Sequence, residues 1–409
     1  MKNKQVELLS PAGNFEKLEI AIHYRTNAVY LGGKNFSLRN YADNFTISEM
    51  KEAVKLSHKH NVKVYLACNI YLRNNEIQEI TSYLEEIKSA QIDIDGLIVS
   101  DPAVIMECKK ILPHIDLHLS TQSNTTNFKT AAFWKELGIT RINTARELSL
   151  KEIKEISEKV DIEIESFVHG AMCISYSGRC LLSGFMTNRD SNRGLCSQPC
   201  RWKYSVVEEF RPNRYYPIVE DERGSYIFNS KDICMVEHID LMIQSGIDSL
   251  KIEGRMKGIN YLASAVKIYR DSIDAYYLNP ESFKPKKEWL TELESINTRG
   301  YSTGFYLGDP KESNPNYAAY KPLIVNTFIG KVMDSIDKHH AKVKIKNKTF
   351  TGDNVIVLSN SCKSRYDKII KIIDKDGLEI PFSQPGSEVI IKFHEQYFKN
   401  DIIRRPELP

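Results

Sequence analysis

The feature that most constrains the fold is an alternation of short apolar runs and amphipathic stretches over the first 255 residues. The apolar runs are rich in β-branched residues and end at polar or Gly-containing tips. There are eight of them: Val6–Ser10, Ala28–Gly32, Val62–Asn69, Gly96–Ser100, Asp116–Thr121, Arg141–Thr144, Ile162–Val168 and Ser249–Glu253. Strand–helix alternation implies parallel pairing, and eight units close naturally into a ring, so the pattern predicts an α/β fold, a (β/α)8 TIM-like barrel. An open doubly wound sheet is the alternative, because periodicity gives element order and not closure.

Polar side chains stand where several of the predicted strands end. They include Asn69, Asp101, Gln122, Arg146, His169, Glu253 and Arg255. In a (β/α)8 barrel these positions share one face, the face on which active sites are found. Loops are polar in most proteins, but the set as a whole predicts a shared pocket.

A long excursion separates the seventh and eighth predicted strands. Its first part contains Cys173, Cys180, Cys196 and Cys200, together with Gly178, Gly184, Gly194 and Pro199. Loops of this length in a compact domain are usually functional or internally braced. We therefore expect a cysteine-bearing insertion over about residues 170–235.

The rest of the insertion contains β-rich stretches at Trp202–Val207, Tyr215–Val219 and Tyr226–Phe228. Cys234 follows, and we expect Asn229 or Ser230 to cap a helix that continues through Ile243. Another helix is predicted at about Ile259–Leu278. A looser stretch, Asn297–Asn316, then suggests chain wrapping over the barrel.

From about Lys321 the sequence changes to short alternating runs. These are Phe328–Asp334, Ala341–Lys346, Asn354–Leu358, Ile369–Ile373 and Val389–Phe393, with an Asp376–Gly377 turn. The pattern predicts a barrel domain over residues 1–320 and a small antiparallel β-barrel domain over 321–409. The second domain carries 16 basic and 11 acidic side chains, so it offers a surface that could contact phosphates.

Charge composition excludes little, because 56 Lys and Arg nearly balance 53 Asp and Glu. The N-terminus lacks an apolar signal core, and no run approaches the roughly 18 apolar residues of a membrane span. We therefore expect a cytoplasmic protein with no membrane partner. In a reducing compartment, clustered cysteines are more often metal ligands or redox groups than disulfides.

The cysteine intervals are six, fifteen and three residues, from Cys173 through Cys200. They match neither the paired Cys-x2-Cys knuckles of zinc fingers nor the ferredoxin runs. Spacing alone therefore indicates a metal site and leaves zinc and an iron–sulfur cluster open.

The segment ESFVHGAMC at Glu165–Cys173, followed after four residues by GRCLLS, is similar to the motif of the collagenase-like peptidase family, labelled peptidase U thirty-two. Further resemblance lies in ELLSPAGNFEKL, YLGGKNFSLRN, ARELSL, NSKDIC and SLKIEGRMK. The subgroup it resembles most is that of the tRNA hydroxylation proteins of the P type. The peptidase label is historical for most of the family.

The resemblance implies hydroxylation of wobble uridine in tRNA to 5-hydroxyuridine, with prephenate as a required metabolite and a [4Fe–4S] cluster as cofactor. Relatives act on ribosomal RNA or in ubiquinone hydroxylation. The family pattern assigns Cys173, Cys180 and Cys196 as cluster ligands. The fourth is ambiguous, because one branch uses a cysteine at the place of Cys234 and another at the place of Cys200. We take Cys234 as the expected ligand and Cys200 as the alternative.

Candidate catalytic residues come from the predicted strand ends. Prephenate is a dicarboxylate, which arginine binds through bidentate charge-assisted bonds, so Arg146 and Arg255 are expected to bind it, with Glu253 as acid/base or as their partner. A true peptidase would require Cys173 to act with His169, and cluster ligation would consume that thiolate. No HExxH or GxSxG motif occurs.

RNA binding requires a local basic surface with aromatic faces for stacking. The insertion supplies Arg179, Arg189, Arg193, Arg201, Lys203 and Trp202. We expect tRNA to bind there with its base splayed into the pocket, and an electron-donor protein as a further partner. The rival interpretation is an RNA-binding accessory subunit with zinc or a structural cluster.

Overall fold

The computed structural model describes residues 5–38, 43–173, 175–202, 205–207, 215–217, 231–296, 300–308, 326–360 and 364–406. Eight parallel strands close into a barrel, which confirms the predicted α/β fold. The strands of this first part are β1 (Glu7–Pro11), β2 (Ala28–Gly32), β3 (Lys63–Cys68), β4 (Gly96–Val99), β5 (Leu117–Leu119), β6 (Arg141–Asn143), β7 (Glu163–Gly170), β8 (Ser205–Val207), β9 (Tyr215–Pro217), β10 (Asp232–Cys234), β11 (Ser249–Ile252) and β12 (Tyr301–Ser302). The barrel consists of β1 to β7 and β11, because β11 pairs in parallel with both β1 and β7.

Helices surround the barrel and follow its strands. They are α1 (Phe15–His23), α2 (Ile47–Lys59), α3 (Ile77–Ser89), α4 (Pro102–Ile111), α5 (Phe128–Glu136), α6 (Leu150–Lys159), α7 (Leu182–Thr187), α8 (Ile239–Gln244), α9 (Ile259–Leu278) and α10 (Lys287–Glu294). Side-chain caps begin five of them, at Asn14, Thr46, Asp101, Asn127 and Ser149. These caps satisfy backbone N–H groups that the first helical turn leaves unpaired.

The insertion after β7 contains α7 and a short antiparallel hairpin of β8 with β9. The predicted stretches Trp202–Val207 and Tyr215–Val219 are found in shorter form, and Tyr226–Phe228 lies outside the described residues.

The prediction of a helix beginning near Cys234 is wrong. Cys234 lies in β10, which pairs antiparallel with the end of β7 through Ile233↔Gly170 and Cys234↔His169, and α8 begins only at Ile239. The two proposed caps, Asn229 and Ser230, lie outside the described residues. The end of β7 presents an edge to pair with, and tertiary pairing of this kind overrides local helix propensity.

The C-terminal part is a curled antiparallel sheet, as predicted. Its strands are β13 (Asn326–Ser335), β14 (His340–Ile345), β15 (Thr349–Phe350), β16 (Asn354–Leu358), β17 (Arg365–Lys368), β18 (Lys371–Ile373), β19 (Glu379–Ile380), β20 (Phe382–Ser383), β21 (Glu388–Lys392) and β22 (Ile402–Pro406). Eight of them form one sheet in the order β17-β16-β22-β13-β14-β21-β18-β19. The strand β22 was not predicted, and it lies between β16 and β13 in this sheet.

The described residues form three hydrophobic clusters. The largest lies in the barrel part and also takes in Leu358 and Ile402 of the C-terminal sheet, the second lies under that sheet, and the third is a small group of residues on β1 to β4. A buried arginine connects the two parts: Arg404 of β22 bonds Glu292 at 2.5 Å and Asn260 at 2.6 Å, and it also donates to Ser264. The hydroxyl of Tyr24 donates to the carbonyl of Leu358 at 2.8 Å. The predicted domain boundary at residues 320 and 321 lies outside the described residues.

Within the described ranges, no helix is both long enough and apolar enough to span a membrane.

Candidate functional site

A cavity of about 510 Å³ opens at the carboxyl ends of the barrel strands, with the insertion forming one of its walls. The other walls are formed by residues of the barrel strands and by residues that directly follow those strands. They include Tyr30, Asn69, Asn143, Phe167, Lys251 and Glu253. This is the face on which (β/α)8 barrels carry their active sites.

Four cysteines of the insertion, Cys173, Cys180, Cys196 and Cys200, line this one cavity. The sulfur of Cys173 accepts a hydrogen bond from Arg146 Nη1 at 3.4 Å, and that of Cys196 accepts one from the backbone N–H of Gln198 at 3.4 Å. Among the described residues, no group of three or more His, Cys, Asp or Glu side chains is arranged around a single metal ion. The arrangement is therefore four soft donors spread around a cavity.

Cys234 has a different environment, since it is buried and does not line the cavity. Its sulfur accepts a 3.6 Å hydrogen bond from the hydroxyl of Tyr269. Burial raises the pKa of the Cys234 thiol to about 12, so at neutral pH this group is a protonated thiol packed against α9.

The predicted cationic residues Arg146 and Arg255 line the same cavity, together with Glu253. The guanidinium of Arg146 lies 4.1 Å above the ring of Phe167, and Arg146 makes no ion pair with the described residues. Arg255 is buried and donates to Ser37 Oγ at 3.0 Å and to a backbone carbonyl. The structure thus brings three of the four predicted catalytic residues together.

The fourth, His169, does not line the cavity. A β-bulge shifts the register between β7 and β11, so that Lys251 pairs with Phe167 but Ile252 pairs with His169. The bulge turns the imidazole away from the barrel interior. It is surrounded by Tyr261, Tyr269 and Tyr301 instead.

Burial of His169, with a smaller contribution from Lys257, lowers its pKa to about 3. Within the part of the chain that the structure describes, no hydrogen bond joins His169 to Cys173. The pair that a cysteine peptidase would require is therefore not formed.

Sequence reasoning did not identify the residues at the base of the cavity. Lys251 Nζ lies 2.7 Å from Glu165 Oε1, and the same oxygen accepts a 2.9 Å hydrogen bond from Asn143 Nδ2. Arg141 contacts the other oxygen of Glu165 at 3.6 Å. The sequence does show charged residues, Glu165 and Lys251, inside two predicted strands. Their contact forms only when β11 pairs with β7 and closes the barrel, so the sequence alone did not reveal it.

The predicted RNA-binding residues differ in how exposed they are to solvent. Arg179 is exposed, and Trp202 is 45% exposed. Arg189 is partly buried and donates to the carbonyl of Leu195 at 3.0 Å. The side chain of Arg201 and the whole of Lys203 lie outside the described residues.

Arg193 was predicted to contact RNA, but its guanidinium already has partners within the protein. It donates to Glu76 Oε2 at 2.7 Å, to Glu76 Oε1 and to the carbonyl of Tyr71 at 3.1 Å. Its charge is neutralised by this pairing, so Arg193 anchors the insertion to the loop after β3.

Two family models match the chain: "Peptidase family U32" over residues 13–316 and "Peptidase family U32 C-terminal domain" over residues 326–404. The chain is 41% identical to tRNA hydroxylation protein P1 of Bacillus subtilis (strain 168), over 98% of this chain and 95% of that protein. It is 35% identical to tRNA hydroxylation protein P of Escherichia coli (strain K12), over 86% of each chain. A 23S rRNA 5-hydroxycytidine synthase of the same organism is 30% identical, over 88% of this chain and 53% of that protein.

Proposed function

The chain belongs to peptidase family U32, and from this membership we propose that it is an RNA-modifying enzyme that hydroxylates the wobble uridine of tRNA to 5-hydroxyuridine. The names of relatives that align over most of the chain support RNA hydroxylation as the broad activity. One observation carries the proposal: a cavity at the active-site face of the barrel combines four thiols with several cationic side chains.

We propose a [4Fe–4S] cluster as cofactor, because the four cysteines that line the cavity supply the donor type that such a cluster uses. Thiolates are the ligands of such clusters, and hydrogen bonds to their sulfurs tune them, as the bonds to Cys173 and Cys196 would. We assign Cys173, Cys180 and Cys196 as three ligands, with Cys200 or Cys234 as the fourth. When bound, the cluster would supply electron transfer or a Lewis acid, chemistry that amino-acid side chains perform poorly.

The cavity also suits an anionic co-substrate. Arg146, Arg255 and Lys257 line it, together with Glu253 and with Lys251, whose charge is balanced by Glu165. This excess of positive charge favours a dicarboxylate such as prephenate. In the proposal, Arg146 and Arg255 bind the carboxylates of prephenate, and Glu253 moves protons or orients an arginine.

The insertion, which forms one wall of the cavity, also exposes side chains that suit a single-stranded RNA loop. Phe185 is 85% exposed, and Trp202 and Arg179 are also accessible to solvent. Exposed aromatic rings stack on unpaired bases, and arginine contacts the backbone phosphates. In the proposal these residues hold the anticodon loop while the wobble base enters the cavity.

The test is mass spectrometry of tRNA nucleosides from a deletion strain without other family members. We expect that the wild-type gene restores 5-hydroxyuridine derivatives and that Cys173→Ala does not. Cys108→Ala is the matched control, because Cys108 is buried in α4 away from the cavity. A strain that cannot make prephenate should lose the modification even with the wild-type gene.

Unchanged 5-hydroxyuridine derivatives in the deletion strain would overturn the assignment. The accessory-subunit alternative has a separate signature in the purified protein. Colourless protein with one zinc and no acid-labile sulfide, after anaerobic purification, would favour that alternative over a redox enzyme.

A further inference from the structure

One wall of the cavity carries a buried polar atom without a partner. Asn143 lies at the end of β6, is 2% exposed and lines the cavity. Its Oδ1 has no hydrogen-bond partner among the described residues. A buried acceptor left unsatisfied costs free energy, so a ligand that donates a hydrogen bond there would gain by satisfying it.

Glu165 determines which end of the Asn143 amide remains unpaired. Its carboxylate can only accept hydrogen bonds, and its Oε1 lies 2.9 Å from Asn143 Nδ2. Rotating the amide by 180° would place two acceptors against each other. Glu165 is itself held by Lys251 at 2.7 Å and Arg141 at 3.6 Å, so the amide oxygen is fixed as the available acceptor.

Hydrogen-bond donors line the same cavity as this acceptor. The ammonium of Lys251 has three N–H groups, and the contact with Glu165 uses one of them. Arg146, three residues after Asn143, keeps its buried Nε without a partner within the described ranges. The wall therefore combines one acceptor with two cationic donors.

This combination suits one pyrimidine and opposes the other. The Watson–Crick edge of uracil presents an acceptor, a donor and an acceptor, namely O4, N3–H and O2. Cytosine presents an amino donor, followed by the acceptors N3 and O2. Cytosine would thus place its N3 lone pair against the oxygen of Asn143, whereas uracil would place N3–H there.

We propose that Asn143 selects uracil over cytosine by accepting a hydrogen bond from N3–H, while Lys251 and the Nε of Arg146 donate to the flanking carbonyl oxygens, which leaves Nη2 of Arg146 for a carboxylate of prephenate. The inference rests on the proposed function and specifies how its site recognises the base. Sites built to hydrogen-bond a substrate group reject analogues that lack it, because the buried protein group is then left unpaired.

The test is the affinity of the full chain for three anticodon stem–loop RNAs, measured by fluorescence anisotropy. They differ only at the wobble base, which is uridine, cytidine or 3-methyluridine. We expect the wild type to bind the uridine RNA about tenfold more tightly than the others. Asn143→Ala should reduce this ratio to about one by weakening only the uridine complex.

Asn69→Ala is the matched control. Asn69 also lines the cavity, but both ends of its amide are satisfied, by the N–H of Leu38 at 3.1 Å and by Ser120 Oγ at 3.3 Å. This variant should keep the preference for uridine. The 3-methyluridine RNA tests the same hydrogen bond with unaltered protein, so the result does not depend on how well Asn143→Ala folds.

A ratio near one in the wild type, or an unchanged ratio in Asn143→Ala, would overturn the inference. Because binding does not require turnover, the proposed function fails separately. A clear uridine preference without 5-hydroxyuridine in the complemented strain would leave the recognition standing and remove the chemistry. Restored 5-hydroxyuridine without a binding preference for the uridine RNA would support the hydroxylation and remove the proposed role of Asn143.

Discussion

At the scale of single residues, the two candidates for the fourth thiolate have contrasting surroundings. Cys200 lines the cavity with Cys173, Cys180 and Cys196. Cys234 is buried behind β7, and burial raises its thiol pKa to about 12. A metal ligand must be deprotonated, so ligation by Cys234 would require the bound cluster to stabilise its thiolate. The family resemblance leaves both cysteines open, and Cys234 stays the expected ligand with Cys200 as the alternative.

We predict that only one of Cys200→Ala and Cys234→Ala loses the cluster, because a cubane takes four protein ligands at most. The measurement is iron and acid-labile sulfide per chain, with the visible absorption spectrum, after anaerobic purification. Cys108→Ala should retain the full content. Loss in both variants, or in neither, would contradict a single cluster whose fourth ligand is one of these two.

The sequence predicted which residues lie at the functional face more readily than it predicted which residue each of them contacts. The cysteines, Arg146, Glu253 and Arg255 stand at strand ends or in one loop, so barrel topology alone brings them to one face. The ion pair of Arg193 with Glu76 joins positions 117 residues apart and has no local signature. His169 was expected in the pocket because it follows the predicted end of the seventh strand, whereas β7 continues through Gly170 and contains a bulge at this point.

At the scale of elements, the insertion is held to the barrel by specific polar contacts. Arg193 binds Glu76 through two hydrogen bonds, and Glu76 belongs to the 3-10 turn Asn74–Glu76 after β3. On the other side, the N–H of Ser177 donates to Glu147 at 3.0 Å. The wall that carries the cysteines therefore depends on contacts with two different strand ends.

We predict that Glu76→Gln lowers the local stability of the insertion by about 1–3 kcal/mol, because Arg193 then loses its carboxylate partner. The measurement is the rate of limited proteolysis between residues 171 and 202. Glu79→Gln, an exposed substitution one helical turn away in α3, is the control. Equal cleavage rates for the two variants would contradict an anchoring role.

The same ion pair should respond to pH. The hydrogen bond from Arg193 lowers the pKa of Glu76 from 4.5 to about 2. A carboxyl group whose pKa is lower in the folded state than in the unfolded state stabilises the folded state at pH values above its unfolded pKa. This stabilisation is lost as the pH falls and the carboxylate becomes protonated. Proteolysis of the wild type should therefore accelerate as pH falls from 4.5 toward 2, and this acceleration should be smaller in Glu76→Gln.

At the scale of the whole molecule, Leu358 and Ile402 of the C-terminal sheet pack into the main hydrophobic cluster of the barrel part, and the two parts also share a buried charge. Arg404 is fully buried, and Glu292 on α10 supplies its countercharge. Removing one partner of a buried ion pair leaves the other uncompensated. The two parts are therefore coupled in stability, although the alternating strands of the sheet predicted only that a second β unit exists.

We predict that Arg404→Met destabilises the protein by about 3–5 kcal/mol and separates thermal unfolding into two calorimetric transitions. Arg405→Met is the matched control. Arg405 is the next residue, and its contact with Asp353 stays within the C-terminal sheet. If both variants unfold in one transition at the same temperature, Arg404 does not couple the two parts.

Closure of the barrel by β11 has a consequence for how the chain folds. The pairing of β1 with β11 joins residues about 242 positions apart, as in the hydrogen bond from Ser249 to Glu7. Contacts of such long range slow folding, and on the ribosome β1 and β7 must wait for the whole insertion to be synthesised. The cysteines thus emerge while the barrel is still an open sheet, so loading of the proposed cluster would compete in time with ring closure during biosynthesis.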